Sequence, residues 1–440
     1  MFSFRTSALA ASLIVLSLAL PAFSPPVEAR PALPTEQQTI DWPHFRFDEK
    51  HSGYQPFETT LDASSIRSAG LLWLDSLGGE LVDMSSAAVV DGVAYIGEVD
   101  GNFAAYSADG CGSDICETPL WAAQLVNIHN SPAVANGIVY IGSQTSFDDG
   151  SFKLNAFSAG GCGQQVCQPL WRGDAGPVSS SSSPTVWKGR VFIGAGDGNV
   201  YAFKAEGCGK ALCKPMWKGR MSQGTQSTAV IYKSTLLIGN QDGKLYAFNA
   251  KGCGQKMCDP LWTADTHGEN FTSSPAISGG VVYIASDHTL SAIDANGCGA
   301  ATCDVLWQAV DQNNFFDGSP AVAKGYVFVG LESGLNVYKA KGCGKQTCNP
   351  QAVLFGTGMQ DAIISSPTVA NGVVYAGRNS GELLAWPVSC VKTGGCTEVW
   401  KGFLDDPLVT SSPTVVNGKI YIGGSDHGFG GRLYVFGLQN

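Results

Sequence analysis

The chain has 440 residues, a formal net charge of −10 and a pI near 5.1, and no cluster of Lys and Arg. That excludes a nucleic-acid backbone as partner, because neutralising phosphates needs grouped cations. Charged residues make up only 15% while glycine reaches 55 residues, a balance that suits many short strands joined by tight turns.

Residues 1–29 carry one Arg, an apolar run from Ala8 to Leu20 and a small-residue pattern at Val27-Glu28-Ala29. They read as a secretory signal peptide whose apolar part is too short for a membrane span. The first cysteine is Cys111, so no lipid-bearing cysteine at a mature N-terminus is expected. No later segment is apolar enough to cross a bilayer. A soluble, monomeric, extracytoplasmic protein able to form disulfides is the expectation.

Residues 30–70 form a lead-in that contains DWPHFRFDEKHSGYQP, Asp41 to Pro56. A lone strand, GLLWLDSL around Trp73, follows. A unit then recurs with starts at Ser85, Asn130, Ser182, Ser227, Ser273, Gly318, Ser365 and Ser411. One copy reads SSPTVANGVVYAGRNSGELLAW. The first cysteines of the repeated GCG phrase lie 45 to 51 residues apart, a period that with four short strands per unit marks a propeller blade. SPAV-like segments are strand A, VVYIG-like segments strand B, LYAF-like segments strand C, and PLW closes the unit as strand D. Gly after Asp or Asn supplies the positive φ of the hairpin turns. Seven units end in a D strand, at Trp121, Trp171, Trp217, Trp262, Trp307, Phe355 and Trp400. The eighth stops short, so the Trp73 strand is expected to complete it. The predicted fold is an all-β, eight-bladed propeller spanning 71–440, closed by an N-terminal strand.

All 14 cysteines fall as pairs in the C–D loops. Zinc needs four ligands, and these pairs lack a second pair or a His at metal spacing. The expected bonds are therefore local disulfides: Cys111–Cys116, Cys162–Cys167, Cys208–Cys213, Cys253–Cys258, Cys298–Cys303, Cys343–Cys348 and Cys390–Cys396.

The (S)SP-V-x-G-VVY-G–DG-LYAF core and the closing G…PLW resemble the quinoprotein-type repeat of pyrroloquinoline quinone (PQQ) dehydrogenases and BamB-like assembly propellers. In that comparison G…PLW is a tryptophan docking motif with a disulfide loop inserted. Asp41 to Pro56 is also similar to the family's lead-in. The resemblance implies the fold; the repeat itself encodes packing and not chemistry. Two adjacent cysteines, which cover the cofactor in the family's alcohol dehydrogenases, are missing here, as is the C-x-x-C-H of a c-type haem.

With disulfide loops on one face, the D–A loops of the other become the candidate recognition surface, since they vary between units and lead to the channel. Their polar residues are Asp83, Asn127, His129, Gln223, Gln226, Asn270, Asn314, Asp317, Gln360, Asp361, Asp405 and Asp406. Such a carboxylate–amide set suits Ca²⁺, and with a bound quinone Asp317 or Asp361 is the candidate general base. Phe271, Phe315 and Phe316 are candidates to floor a ligand or to plug the channel. The longer B–C turns near Asp148 and Asp426 also offer oxygen ligands, although turn chemistry accounts for them equally. Two readings follow: a binding or scaffold propeller for a protein, glycan or small molecule, and a PQQ- and Ca²⁺-dependent dehydrogenase.

Overall fold

The computed structural model describes residues 40–439 other than 76–84, 147, 149, 179, 267, 269–272, 317, 356–361, 364, 405–408, 410 and 426–430. Within these, the chain forms eight sheets of four or five strands. Blade 4 shows the plan: strand A is Val230–Tyr232, B is Thr235–Asn240, C is Lys244–Asn249 and D is Trp262–Asp265. Successive strands are antiparallel neighbours. Consecutive residues such as Leu236, Leu237 and Ile238 are all fully buried, because each blade is covered on both faces by its neighbours. The short strands are thus apolar throughout and not alternating. Each hydrophobic cluster draws on two successive blades; one joins Val230, Leu237 and Leu245 to Ile277, Val282 and Ile284.

The ring closes as the sequence implies. Strand Ala69–Asp75 pairs antiparallel with Gly431–Leu438, from Ala69 opposite Leu438 to Leu74 opposite Tyr434, and becomes strand D of blade 8.

Two details of strand D differ from the sequence reading. The tryptophan opens the strand, as in Trp217–Arg220, and PL only leads into it. In blade 6 the register sets Ala352 opposite Val337, where six other blades set Trp opposite Ala, as in Ala247 and Trp262, and blade 8 sets Trp73 opposite Val435. Ala352, and not Phe355, therefore holds the tryptophan position.

The tryptophan's partner explains the glycine ahead of each first cysteine. Gly252 has φ +89°, and a Cβ there would lie 2.7 Å from Cδ1 of Trp217 in the preceding blade. Trp73, Trp121, Trp171, Trp262 and Trp307 meet Gly110, Gly161, Gly207, Gly297 and Gly342 in the same way. No such glycine follows blade 6, where the tryptophan is missing: Cys390–Thr393 forms a helical turn instead.

All seven disulfides are formed as the spacing implies, with Cα–Cα distances of 5.0 to 5.7 Å. Six of the loops have a second task. The residues up to the second cysteine lie parallel to strand D of the preceding blade, as Met257–Cys258 does beside Lys218 and Gly219. The Lys218 N–H donates to Lys256 O at 2.9 Å, and the Ala122 N–H donates to Gln165 O at 2.8 Å. Outer edges of blades 8, 1, 2, 3, 4 and 5 are covered this way. Among the described residues, no strand is added to the D strands of blades 6 and 7, which leave Val353 52% and Phe403 68% exposed.

Candidate functional site at the central channel

Seven of the eight units open on two small polar residues, the sixth opening on Gly318 and Ser319, and the two positions make different bonds. The first ties strand A to strand B of its own blade. Oγ of Ser182 accepts from the Gly194 N–H at 3.0 Å, and Oγ of Ser411 accepts from the Gly423 N–H at 2.7 Å. The second ties blade to blade. The N–H of Ser86 donates to Ser131 Oγ, that of Ser131 to Ser183, that of Ser183 to Thr228 Oγ1, and that of Thr228 to Ser274. Ser274 donates to Ser319, Ser319 to Ser366, and Ser412 back to Ser86. These bonds are 2.8 to 3.0 Å long and lie on buried residues. Small hydroxyls are required here because eight strands converge on one axis. The repeated Ser-Ser-Pro is thus a hydroxyl girdle around the channel.

The lead-in passes along the inner edges of the A strands. Ile40 N–H donates to Asn417 of blade 8, and Trp42 exchanges two main-chain bonds with Val89 of blade 1. Pro43 O accepts from Val134 of blade 2, and His44 lies against Val186 of blade 3. Glu49 O, Lys50 O, Ser52 O and Gly53 O then accept from Ile231, Ile277, Val322 and Val369 of blades 4 to 7 at 2.7 to 2.9 Å. Tyr54–Gln55 adds a parallel strand to Thr368–Ala370, and Glu58 accepts from the Gly418 N–H of blade 8. Innermost strands would otherwise present unpaired N–H groups, and one segment satisfies them in turn. This stretch plugs the channel toward its A–B end. It also buries a polar set that the sequence reading did not single out: Arg46, His51 and Gln55.

Of the predicted site residues, His129 and Gln226 lie two positions ahead of the girdle residues Ser131 and Thr228, half-buried at the D–A end. Asn127 turns the same loop as His129 with φ 53°. Asn314 donates its side-chain amide to Asp311 at 3.1 Å, and its main-chain carbonyl faces Nδ1 of His288. Gln223 is fixed through its main chain to Asn240. Phe316 is buried in the core shared by blades 5 and 6, and Phe315 packs on His288 with ring centroids 4.4 Å apart. Neither belongs to the plug. Asp83, Asn270, Asp317, Gln360, Asp361, Asp405, Asp406, Phe271 and Asp426 lie outside the described residues.

A second polar cluster appears where the closing strand meets blade 1. Asp75 and Glu98 are fully buried; Asp75 Oδ1 accepts from the Leu433 N–H at 2.8 Å, and Glu98 Oε2 accepts from Asn102 at 3.3 Å. Burial first, then the charges of Asp75 and Asp100, push the Glu98 carboxyl up to about 9, so it holds its proton at neutral pH. Away from the axis, a cleft of about 570 Å³ between blades 2 and 3 is lined by Lys153, Lys214, Lys218 and Lys256 with Asp174, Asp197 and Tyr201.

Among the described residues, no three His, Cys, Asp or Glu side chains gather at metal-binding separation, and most side chains nominated to hold a quinone with its Ca²⁺ lie outside those residues. No step is derived through such a group. Also among the described residues, no helix is long and apolar enough to cross a membrane.

No curated protein matches the sequence. Solved structures resemble the fold. BamB from Moraxella catarrhalis superposes with a TM-score of 0.59 at 13% identity, covering 84% of this chain and 98% of that one. The quinohemoprotein alcohol dehydrogenase of Comamonas testosteroni gives a TM-score of 0.66 at 13% identity, with 91% and 80% covered. A computationally designed protein, Ika8, gives 0.62 at 14% identity, with 84% and 100% covered. At such identities these likenesses concern the fold alone. The family model described as outer membrane protein assembly factor BamB matches residues 167–335 and 216–434, more than half of the chain, and the chain belongs to that family of PQQ-like repeat propellers.

Proposed function

We propose that the protein acts outside the cytoplasm as a binding or scaffold propeller, recognising its partner through the D–A loops at the mouth of the channel. The observation that carries this reading is the plug. It engages the A strands at the A–B end, the same side that carries the near-identical disulfide hairpins. Chemical variety between blades is concentrated in the D–A loops, where binding on a rigid scaffold usually resides. Membership of a family described as an assembly factor supports a protein partner over a glycan or a small molecule. Seven disulfides and the signal-like N-terminal sequence support an oxidising compartment.

A photo-crosslinking residue at Gln226 tests the face against one at the exposed Gln255 of a disulfide hairpin. Adducts from position 226 alone, lost in an Asp317→Ala/Asp361→Ala double variant that melts within a few degrees of the parent, are expected. Adducts from position 255 alone would place recognition on the opposite face. Dye-linked alcohol oxidation on adding PQQ and Ca²⁺, abolished by Asp317→Ala, would instead make the protein a dehydrogenase.

A further inference from the structure

The plug carries into the middle of the protein a cation that its neighbours do not neutralise. Arg46 is 2% exposed. Its Nη2 donates to Pro320 O and Pro367 O, both at 2.9 Å, while Nε and Nη1 have no partner. Among the described residues, no carboxylate forms an ion pair with it. His51 beside it is fully buried, and neither ring nitrogen has a partner. Burial pushes the guanidinium down to about 9, which still leaves it charged at neutral pH, and holds His51 well below its usual range.

The backbone is shaped to seat this group. Arg46, Phe47 and His51 all take left-handed φ values, 60°, 89° and 49°, a cost that non-glycine residues bear where the surroundings enforce it. At Gly53, φ is +63°, and a Cβ would lie 2.2 Å from Arg46 Nη2 and 3.0 Å from Ala321 Cβ. Only a bare α-carbon lets the guanidinium reach both proline carbonyls. Those prolines directly follow the girdle residues Ser319 and Ser366, so the guanidinium lies on the D–A side of the plug, beneath the hydroxyls. Each of these two Oγ atoms accepts a main-chain N–H from the blade before, which leaves its own O–H to donate. A buried cation with unspent donors and no counter-charge is strongly disfavoured unless an anion joins it.

We propose that Arg46 is the anion receptor of the central channel, holding one small anion of carboxylate or halide size between its unspent N–H groups and the Ser319 and Ser366 hydroxyls. The inference rests on the plug and not on what the D–A loops recognise.

The test holds ionic strength constant and replaces gluconate, a bulky anion, stepwise by chloride or formate. An anion bound only by the folded state raises the melting temperature by mass action. A saturable rise is expected, with ³⁵Cl line broadening that formate suppresses, and both responses should vanish in Arg46→Gln. Should that variant not fold, Arg46→Lys is expected to need at least about tenfold more anion for the same rise, since an ammonium cannot span two carbonyls and an anion together. A melt that follows ionic strength but not anion identity overturns the proposal, as does a response that survives in Arg46→Gln. An insensitive wild type that becomes anion-responsive in Asp317→Asn overturns it too, because a carboxylate of this chain would then fill the site.

Discussion

Glu98 follows strand B of blade 1 and reaches an environment that exists only because the closing strand brings Asp75 beside it. Its carboxyl is pushed up to about 9, chiefly by burial. Between the ordinary carboxylate range and about 9, the folded protein therefore holds a proton that the unfolded chain has released, and each step up in pH favours unfolding. The Glu98 contribution is complete below the unfolded value and is lost as pH rises toward 9. Glu98→Gln keeps hydrogen-bonding capacity without a proton to lose, so its denaturation midpoint should fall less than the wild type's between pH 6 and pH 9. Parallel midpoints at pH 6, 7.5 and 9 would show that Glu98 is not the titrating group. None of this was legible in the sequence, because Glu98 is buried beside Asp75 only once the closing strand has docked. Arg46 escaped for a related reason: its acceptors, Pro320 and Pro367, lie 274 and 321 residues away.

Among elements, the junction between strand D and the next disulfide hairpin repeats most faithfully. Trp217 is buried between blades, close to Phe192 with ring centroids 5.9 Å apart, and lies under the bare α-carbon of Gly252. Trp217→Ala should cost about 3–5 kcal/mol, the usual range for emptying such a site. Leu261→Ala, one blade on in the same kind of phrase and largely exposed, should stay within about 0.5 kcal/mol. Denaturant titration of both variants checks the contrast, and equal losses would mean the tryptophan is not the docking residue. Replacing Cys253 and Cys258 by Ala should cost about 2 kcal/mol through loop-closure entropy. It should also speed amide exchange at Lys218, whose N–H the hairpin covers. The strands, turns and cysteine pairing were legible because each is set within one unit. The second role of the hairpin was not, since a parallel pairing with the preceding blade leaves no local pattern. The register of blade 6 was hidden by an aromatic residue three positions past the true tryptophan position.

For the whole molecule, the count of D strands in the sequence was enough to reveal eight blades and the exchange of the first strand with the last. The path of the lead-in was not, because its bonds go to main-chain groups of the blades, which any residue supplies. Removing residues up to Gly79 takes away both the plug and the closing strand. That truncated protein should lose its single cooperative melt, whereas removing only residues up to Thr39 should leave it intact; calorimetry distinguishes the two. The plug also has a consequence in time. The stretch from Ile40 to Glu58 is made early, yet the groups it binds are completed only when Asn417 and Gly418 exist, 377 residues after Ile40 and 360 after Glu58. The blades form from contacts close in sequence, but the axle has no bearing until the wheel is nearly whole, so the last slow phase of folding should belong to the first residues of the folded chain. A helper that shields this end during synthesis would speed maturation more than one that acts on any single blade.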